Sequence, residues 1–386
     1  MTLDIYNHDH NLQKSIQKIE KSPIFQVNKD LLLEYKDDCA TGWGGAKLGA
    51  ARIAKHMGSI RIYMEMKPEL DWSMISKADV KFLLNRIIQD PKKNKWAEYD
   101  YASSLRKFIT WMRKEKGYPE NYPDHDRLNK TISLLKYPEE VAGIKPCRPN
   151  GLPAAEDIPT YQEIRYICDA AIHPRDKAFV EGAAELGPRV GGWGSRQIKH
   201  IIFDNLGARI TMTDKTMNNE PVRLITSSSY LRQWLDLHPF SGNPEAPVWI
   251  DLQKIKSGHQ QVMSHSAILR MFDRLKERHN KNAEITGKPV ITKKITPHRF
   301  RYFAQTRDEK DGVPRSVMCR QRGWSEQSRQ PERYARIANT RVDEYYADMD
   351  MLKRSFITRS MTLSIIKDYV LYLLKLIIKT NIYNTW

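Results

Sequence analysis

The chain has 386 residues, 40% of them hydrophobic, with a formal net charge of +17. That length fits about two domains with sizeable cores, and so large a positive excess favours a polyanion such as nucleic acid as the partner. Cys39, Cys147, Cys168 and Cys319 are scattered without C-x-x-C spacing, which excludes a zinc framework or a disulfide scaffold and fits a reducing interior.

The N-terminus, MTLDIYNHDH, lacks a basic stretch followed by an apolar run, so it is not a secretory signal and a cytoplasmic, DNA-associated location is expected. Residues 1–27 are polar and read as a flexible N-terminus. Residues 28–135 read as an all-helical domain. NKDLLLEYKDD and AKLGAARIAKHM are short helical candidates. Ser76 and Asp79 are spaced as a cap ahead of VKFLLNRII, where Val80, Leu83, Leu84, Ile87 and Ile88 form one apolar face. Pro91 ends that helix. Tyr101, Leu105, Phe108, Ile109 and Met112 then recur at helical spacing, with Gly117 as a stop. Residues 136–159 hold Pro138, Pro146, Pro149, Pro153 and Pro159 and form the clearest linker in the chain.

A second domain is expected over 160–357. Thr160 and Glu163 have capping-box spacing at the head of YQEIRYICDAA. ARITMTD and EPVRLIT read as two strands with the polar turn KTMNN between them. Helical patterns resume in SHSAILRMFDRLKERHN and again from Thr296. The fold class is therefore mainly α with a small β-sheet (α+β). Residues 358–386 are an apolar, amphipathic tail. Its core, MTLSIIKDYVLYLLKLII, is interrupted by Lys367, Asp368 and Lys375, so docking on a protein surface is expected over a membrane span.

Residues 297–305 read PHRFRYFAQ. Thr296 suits an N-cap and Pro297 the first helical position. At about 100° per residue His298, Arg301 and Gln305 share one face, while Phe300, Phe303 and Ala304 lie on the other. This predicts aromatic anchors on the core side and a His/Arg pair facing away from the core. The pair falls near a helix start, where free N–H groups and the dipole favour an anion such as phosphate. Taken alone, the pattern is more often that of a solvated polar face.

Three further stretches accompany it: ELGPRVGGWGSRQIKHIIFD, ARITMTDKTMNNEPVRLI and RGWSEQSRQPERYARIANTRVDEYY. Together they resemble the tyrosine recombinase (integrase) family, in particular its archaeal integrase branch. The family's order is an Arg after a helix and tight turn, a Lys on a β-hairpin, H-x-x-R, a His or Trp after Gly, and a nucleophilic Tyr. In this chain Arg189 follows ELGP, Lys215 lies in the hairpin turn, and His298 and Arg301 form the H-x-x-R. Trp324 follows Gly323, and Tyr334 lies ten residues beyond Trp324. The resemblance covers about 155–357, and more weakly the helical N-terminal domain, which is similar to the family's core-binding domain. Two positions depart from the pattern: Gly192 stands where an acidic residue is usual, and Pro188 where Leu is common.

The resemblance implies a site-specific DNA recombinase of a mobile element, acting on double-stranded DNA as a homotetramer on two duplexes. The chemistry of the residues agrees. A phenol, with an ordinary pKa of about 10, needs help to attack a phosphodiester at neutral pH. Arg189 and Arg301 suit the charge on the non-bridging oxygens. Lys215 suits protonation of the leaving oxygen. His298 can move a proton or bond the phosphate, and the Trp324 indole can donate an N–H. This set implies no cofactor and no metal. Lys199 and Lys294 are alternatives to Lys215, Arg196 to Arg189, and Tyr345 or Tyr346 to Tyr334. Between 293 and 341 stand thirteen basic and five acidic residues, net +8. This reads as a grip on the DNA backbone, with Lys293, Lys294, Arg299 and Arg322 as its candidates. The competing classes are a non-catalytic DNA-binding protein of the same fold and a type IB topoisomerase-like enzyme.

Overall fold

The computed structural model describes residues 3–43, 45–116, 137–149, 151–213, 219–255 and 261–334. They divide into two units, Asp4–Leu152 and a second that begins at Pro153, so the division falls inside the proline-rich segment.

The first unit is helical. Its elements are α1 (His8–Glu20), α2 (Gln26–Thr41), α3 (Ala50–Met66), α4 (Lys77–Ile88), α5 (Lys95–Lys114) and α6 (Glu139–Ala142). Ser76 and Asp79 form a reciprocal capping box at the start of α4, satisfying two of the backbone donors that a helix start leaves open. Leu32, Ile60, Tyr63, Trp72, Leu83 and Phe108 are buried in its core. The sequence reading is corrected at three points. Residues 1–27 are not a flexible end: α1 buries Ile19 and packs Leu12 and Ile16 on the common core. The third helix begins at Ala50 and continues to Met66, well past the AKLGAARIAKHM stretch. Ile88, placed on the apolar face of α4, is exposed, since that face buries only Val80, Leu83 and Ile87. Within the proline-rich segment, Val141 and Ile144 belong to this core. Arg113 reinforces the attachment, donating to Glu140 at 2.9 Å and to the carbonyls of Ser73 and Ile75.

The second unit is mostly helical with one three-stranded antiparallel sheet. It comprises α7 (Tyr161–Ala170), α8 (Pro174–Leu186), α9 (Val190–Gly194), β1 (Ile201–Asp204), β2 (Gly207–Met212) and β3 (Glu220–Leu224). These are followed by α10 (Ser228–Asp236), α11 (His265–Thr286), α12 (Pro297–Lys310), α13 (Arg315–Arg322) and α14 (Gln330–Tyr334). The capping box of Thr160 and Glu163 is present at α7. The sheet order is β1-β2-β3, with Ile201 opposite Ile210 and Ala208 opposite Leu224. Alternation along β2 turns Ala208, Ile210 and Met212 inward. β1 was not expected from the sequence. Phe179, Trp193, Trp249, Phe272 and Phe300 form an aromatic core whose neighbouring ring centres lie 4.8–6.2 Å apart. Against it runs α8, buried along most of its length.

No helix among the described residues is long and apolar enough to cross a membrane. The segment 361–378, Gly117, Lys215, Tyr345 and Tyr346 all lie outside the described residues.

Candidate active site

The site is built around one guanidinium. Thr296 caps α12 by accepting the N–H of Arg299 at 3.3 Å, with Pro297 in the first turn. One turn further on, Arg301 is only 2% exposed. This corrects the expectation that the His/Arg pair faces away from the core: Arg301 is buried, whereas His298 is exposed as expected. α12 is enclosed on most of its circumference, and Arg301, Tyr302 and Gln305 are buried together with Phe300 and Ala304. Backbone carbonyls make that burial possible: Nη1 of Arg301 donates to the oxygen of Gly187 at 3.0 Å and Nη2 to that of Arg322 at 3.3 Å.

Gly187 is required by this contact. It ends α8 at φ 56°, and a Cβ there would lie 2.7 Å from the Cβ of Ala304 and 3.3 Å from the Cα of Arg301. Only glycine takes that conformation without strain and leaves room for α12 to approach. Two residues later Arg189 caps α9, half-buried. It lines a narrow cleft of only about 10 Å³ with Pro188, Arg301, Gln321 and Arg322. The turn after α8 thus brings the first predicted arginine beside the second.

Aromatic rings close around Arg301. Its guanidinium lies 4.8 Å from the ring centre of Trp324 and 5.1 Å from that of Tyr334. Gly323, at φ 64°, ends α13 and turns the chain so that the N–H of Trp324 reaches the carbonyl of Cys319 at 2.9 Å. The Trp324 indole N–H is buried and has no hydrogen-bond partner. The half-buried ring of Tyr334, at the end of α14, stacks on Trp324 and meets His298 edge-on at 5.8 Å. Tyr302, which sequence reasoning did not single out, completes the ring, 4.8 Å from Tyr334 and 5.1 Å from His298. Its spacing of four from His298 on one helix was the available signal. His298, Arg301, Trp324, Tyr334 and Arg189 therefore come together, while Lys215 lies outside the described residues.

Residues 160–341 match the model of the phage integrase family. That match lies within the second unit. No curated protein matches the chain by sequence. Among solved structures, the fold is shared with a lambda integrase tetramer bound to a Holliday junction: TM-score 0.56, 14% identity, 79% of this chain and 76% of that one. It is shared with the Tn1549 transposon integrase in complex with circular intermediate DNA: TM-score 0.54, 13% identity, 82% and 98% covered. It is also shared with the XerH site-specific recombinase bound to a palindromic difH substrate: TM-score 0.52, 12% identity, 92% and 98% covered.

Within the site, burial and the surrounding positive charge set the electrostatics. The ring of His298 is held below the usual imidazole pKa, first by desolvation against its neighbours and then by Arg301, Arg299 and Arg333. The imidazole is accordingly neutral near pH 7. The four residues expected to grip DNA separate into different roles. Lys294 is exposed. Lys293 is instead occupied internally, donating to Glu163 at 3.0 Å and to the carbonyl of Ile158 at 3.1 Å. Arg299 is half-buried, with Nη2 3.8 Å from Asp157. Arg322 is not on the surface at all: it is 2% exposed and donates to Asp308 at 2.6 Å. Of the alternatives to the assigned arginine and lysine, Arg196 is a buried strut bonded to the carbonyls of Thr211 and Thr213. Lys199 pairs with Glu245 at 2.6 Å.

Proposed function

We propose that the protein is a site-specific DNA recombinase of the tyrosine type, in the archaeal integrase branch, which integrates or excises a mobile element. The observation that carries this reading is the convergence of His298, Trp324 and Tyr334 on the guanidinium of Arg301, with Arg189 in the adjoining cleft.

In this reading the phenolic oxygen of Tyr334 attacks the scissile phosphorus. The neutral imidazole of His298, beside the phenol ring, suits acceptance of a proton. Arg189 and Arg301 neutralise the non-bridging oxygens of the pentacoordinate state as permanently charged planar forks; Arg301, already held by the carbonyls of Gly187 and Arg322, needs little reorganisation. The Trp324 indole, a buried donor without a protein partner, bonds the phosphate. Lys215, in the segment that joins β2 to β3 in sequence, protonates the departing 5′ oxygen. The product is a 3′-phosphotyrosine. Its retained bond energy lets a 5′ hydroxyl of another strand reverse the step without ATP. Four protomers on two duplexes then exchange strands, and Lys294 contributes to the backbone grip.

A nicked suicide substrate carrying the element's junction sequence tests the reading. The wild-type protein should form a covalent DNA adduct, and Tyr334→Phe should form none while binding the same DNA. Binding without an adduct under any condition would leave a DNA-binding protein of the same fold. Exchange between two marked duplexes separates a recombinase from a topoisomerase-like enzyme.

A further inference from the structure

Beyond the residues assigned above, a third guanidinium lines the cleft. Arg322 ends α13, two residues before Trp324, and shares the cleft with Arg189 and Arg301. Its side chain is anchored at one point, where Nη2 donates to Asp308 at 2.6 Å. That carboxylate is shared with Arg307, 2.7 Å away. The Nε and Nη1 of Arg322 are buried and have no hydrogen-bond partner. Its guanidinium lies 6.0 Å from the ring centre of Trp324, and its carbonyl holds Nη2 of Arg301 at 3.3 Å.

Two considerations point the same way. Buried donors are almost always satisfied, and one that is not calls for a functional reason. A buried ion pair is also poor value for stability, since apolar residues of similar volume often serve as well or better. An apolar side chain at 322 would close the end of α13 without desolvating a charge. Keeping arginine there suits a site that must meet a further negative charge.

We propose that Arg322 is a third phosphate-directed guanidinium. Its Nε and Nη1 donate to a non-bridging oxygen of the same phosphodiester that Arg189 and Arg301 receive, while Asp308 holds the fork in place. This rests on the reading of the cleft as a phosphodiester site.

The test is single-turnover adduct formation on two nicked duplexes, one with an ordinary scissile phosphodiester and one with a methylphosphonate, which lacks the negative charge. Arg322→Met should slow the ordinary substrate about 100-fold and stay within about threefold of wild type on the methylphosphonate, because an arginine's contribution scales with the charge it meets. Any loss of DNA affinity should be small beside the loss of rate, since it removes one phosphate contact among many. Asp308→Asn, which keeps Arg322, should slow the ordinary substrate less than about tenfold. If Arg322→Met does not fold, Arg322→Lys keeps the charge but loses the planar fork, and should show the same dependence on substrate. Equal slowing on both substrates, or none, overturns the proposal and reduces Arg322 to a strut between α12 and α13. Failure of the wild-type protein to form any adduct overturns the recombinase reading itself, and this proposal with it.

Discussion

The indole of Trp324 stacks on the phenol of Tyr334 with ring centres 5.5 Å apart and planes 17° from parallel. The stack and the indole N–H are separable contributions. Trp324→Phe keeps a ring beneath Tyr334 but removes the donor. Single-turnover cleavage should fall about ten- to a hundredfold, with the melting temperature nearly unchanged. Trp324→Ala also removes the support of the ring and leaves a hole, at a cost of about 3–5 kcal/mol in stability. Equal cleavage by wild type and Trp324→Phe would show that the N–H does not meet the phosphate.

Arg301 has a structural duty as well as a proposed catalytic one. Arg301→Ala should abolish cleavage and leave the buried carbonyls of Gly187 and Arg322 without their donor, costing about 2–5 kcal/mol. Arg301→Lys should recover part of that stability while remaining at least about a hundredfold slow, because an ammonium lacks the fork. Thermal melting and gel-shift titration, run beside the cleavage assay, read these apart. If DNA affinity falls as far as cleavage, the arginine serves only as a backbone grip.

The helical unit carries a pH dependence of its own. His56 is buried, its Nδ1 2.9 Å from the Ser104 hydroxyl, and desolvation reinforced by Lys107, Arg52 and Lys55 lowers its pKa to about 4. Below about pH 6.5 the unfolded chain takes up a proton on this histidine that the folded chain refuses until about pH 4. Stability is therefore complete above about 6.5 and declines as the pH falls through that window, by roughly 3 kcal/mol from His56 alone. Denaturant titrations at pH 7 and pH 4.5 should show a loss that His56→Gln reduces, the remainder belonging to other histidines held below the usual imidazole range, His298 among them. An unchanged loss would assign the dependence elsewhere.

Lys293 and Lys294 are adjacent in sequence and should behave oppositely. The exposed Lys294 is free to meet a phosphate, so Lys294→Ala should reduce the slope of log affinity against log salt by about one. Lys293 is committed to Glu163 and Ile158. Lys293→Ala should leave the slope alone and lower stability by up to about 1 kcal/mol. A slope change of equal size in both variants would show that the Glu163 pair opens on DNA.

What the sequence made legible was whatever is written locally. Ser76–Asp79, Thr160–Glu163 and Thr296–Pro297 each marked a helix start, because a cap satisfies donors within its own first turn. The order of Arg189, His298, Arg301, Trp324 and Tyr334 carried the family resemblance, and the fold brings those five together. Burial decided by distant partners was not legible. Helix α1 looked too polar to order, since its few apolar residues gain value only against α3 and the common core. The face of α12 that carries Arg301 and Gln305 reads as solvent-facing by helical phase. Carbonyls from α13 and from the turn after α8 enclose it, and neither is near it in sequence. Arg322 counted as one more basic residue because its partner, Asp308, lies fourteen positions earlier on another helix. β1, four residues long, is defined mainly by its pairing with β2.

Gly187 gives the site a common ruler. Its carbonyl holds one guanidinium, and the two peptide units that follow set the main-chain origin of the other, so Arg301 and Arg189 are tied by a few bonds of main chain. The two charges are in that sense a single instrument. A mutation that lengthens or bends this tie would detune both at once without altering a charged atom, and a genetic screen for lost activity would return it as a glycine with no chemistry of its own.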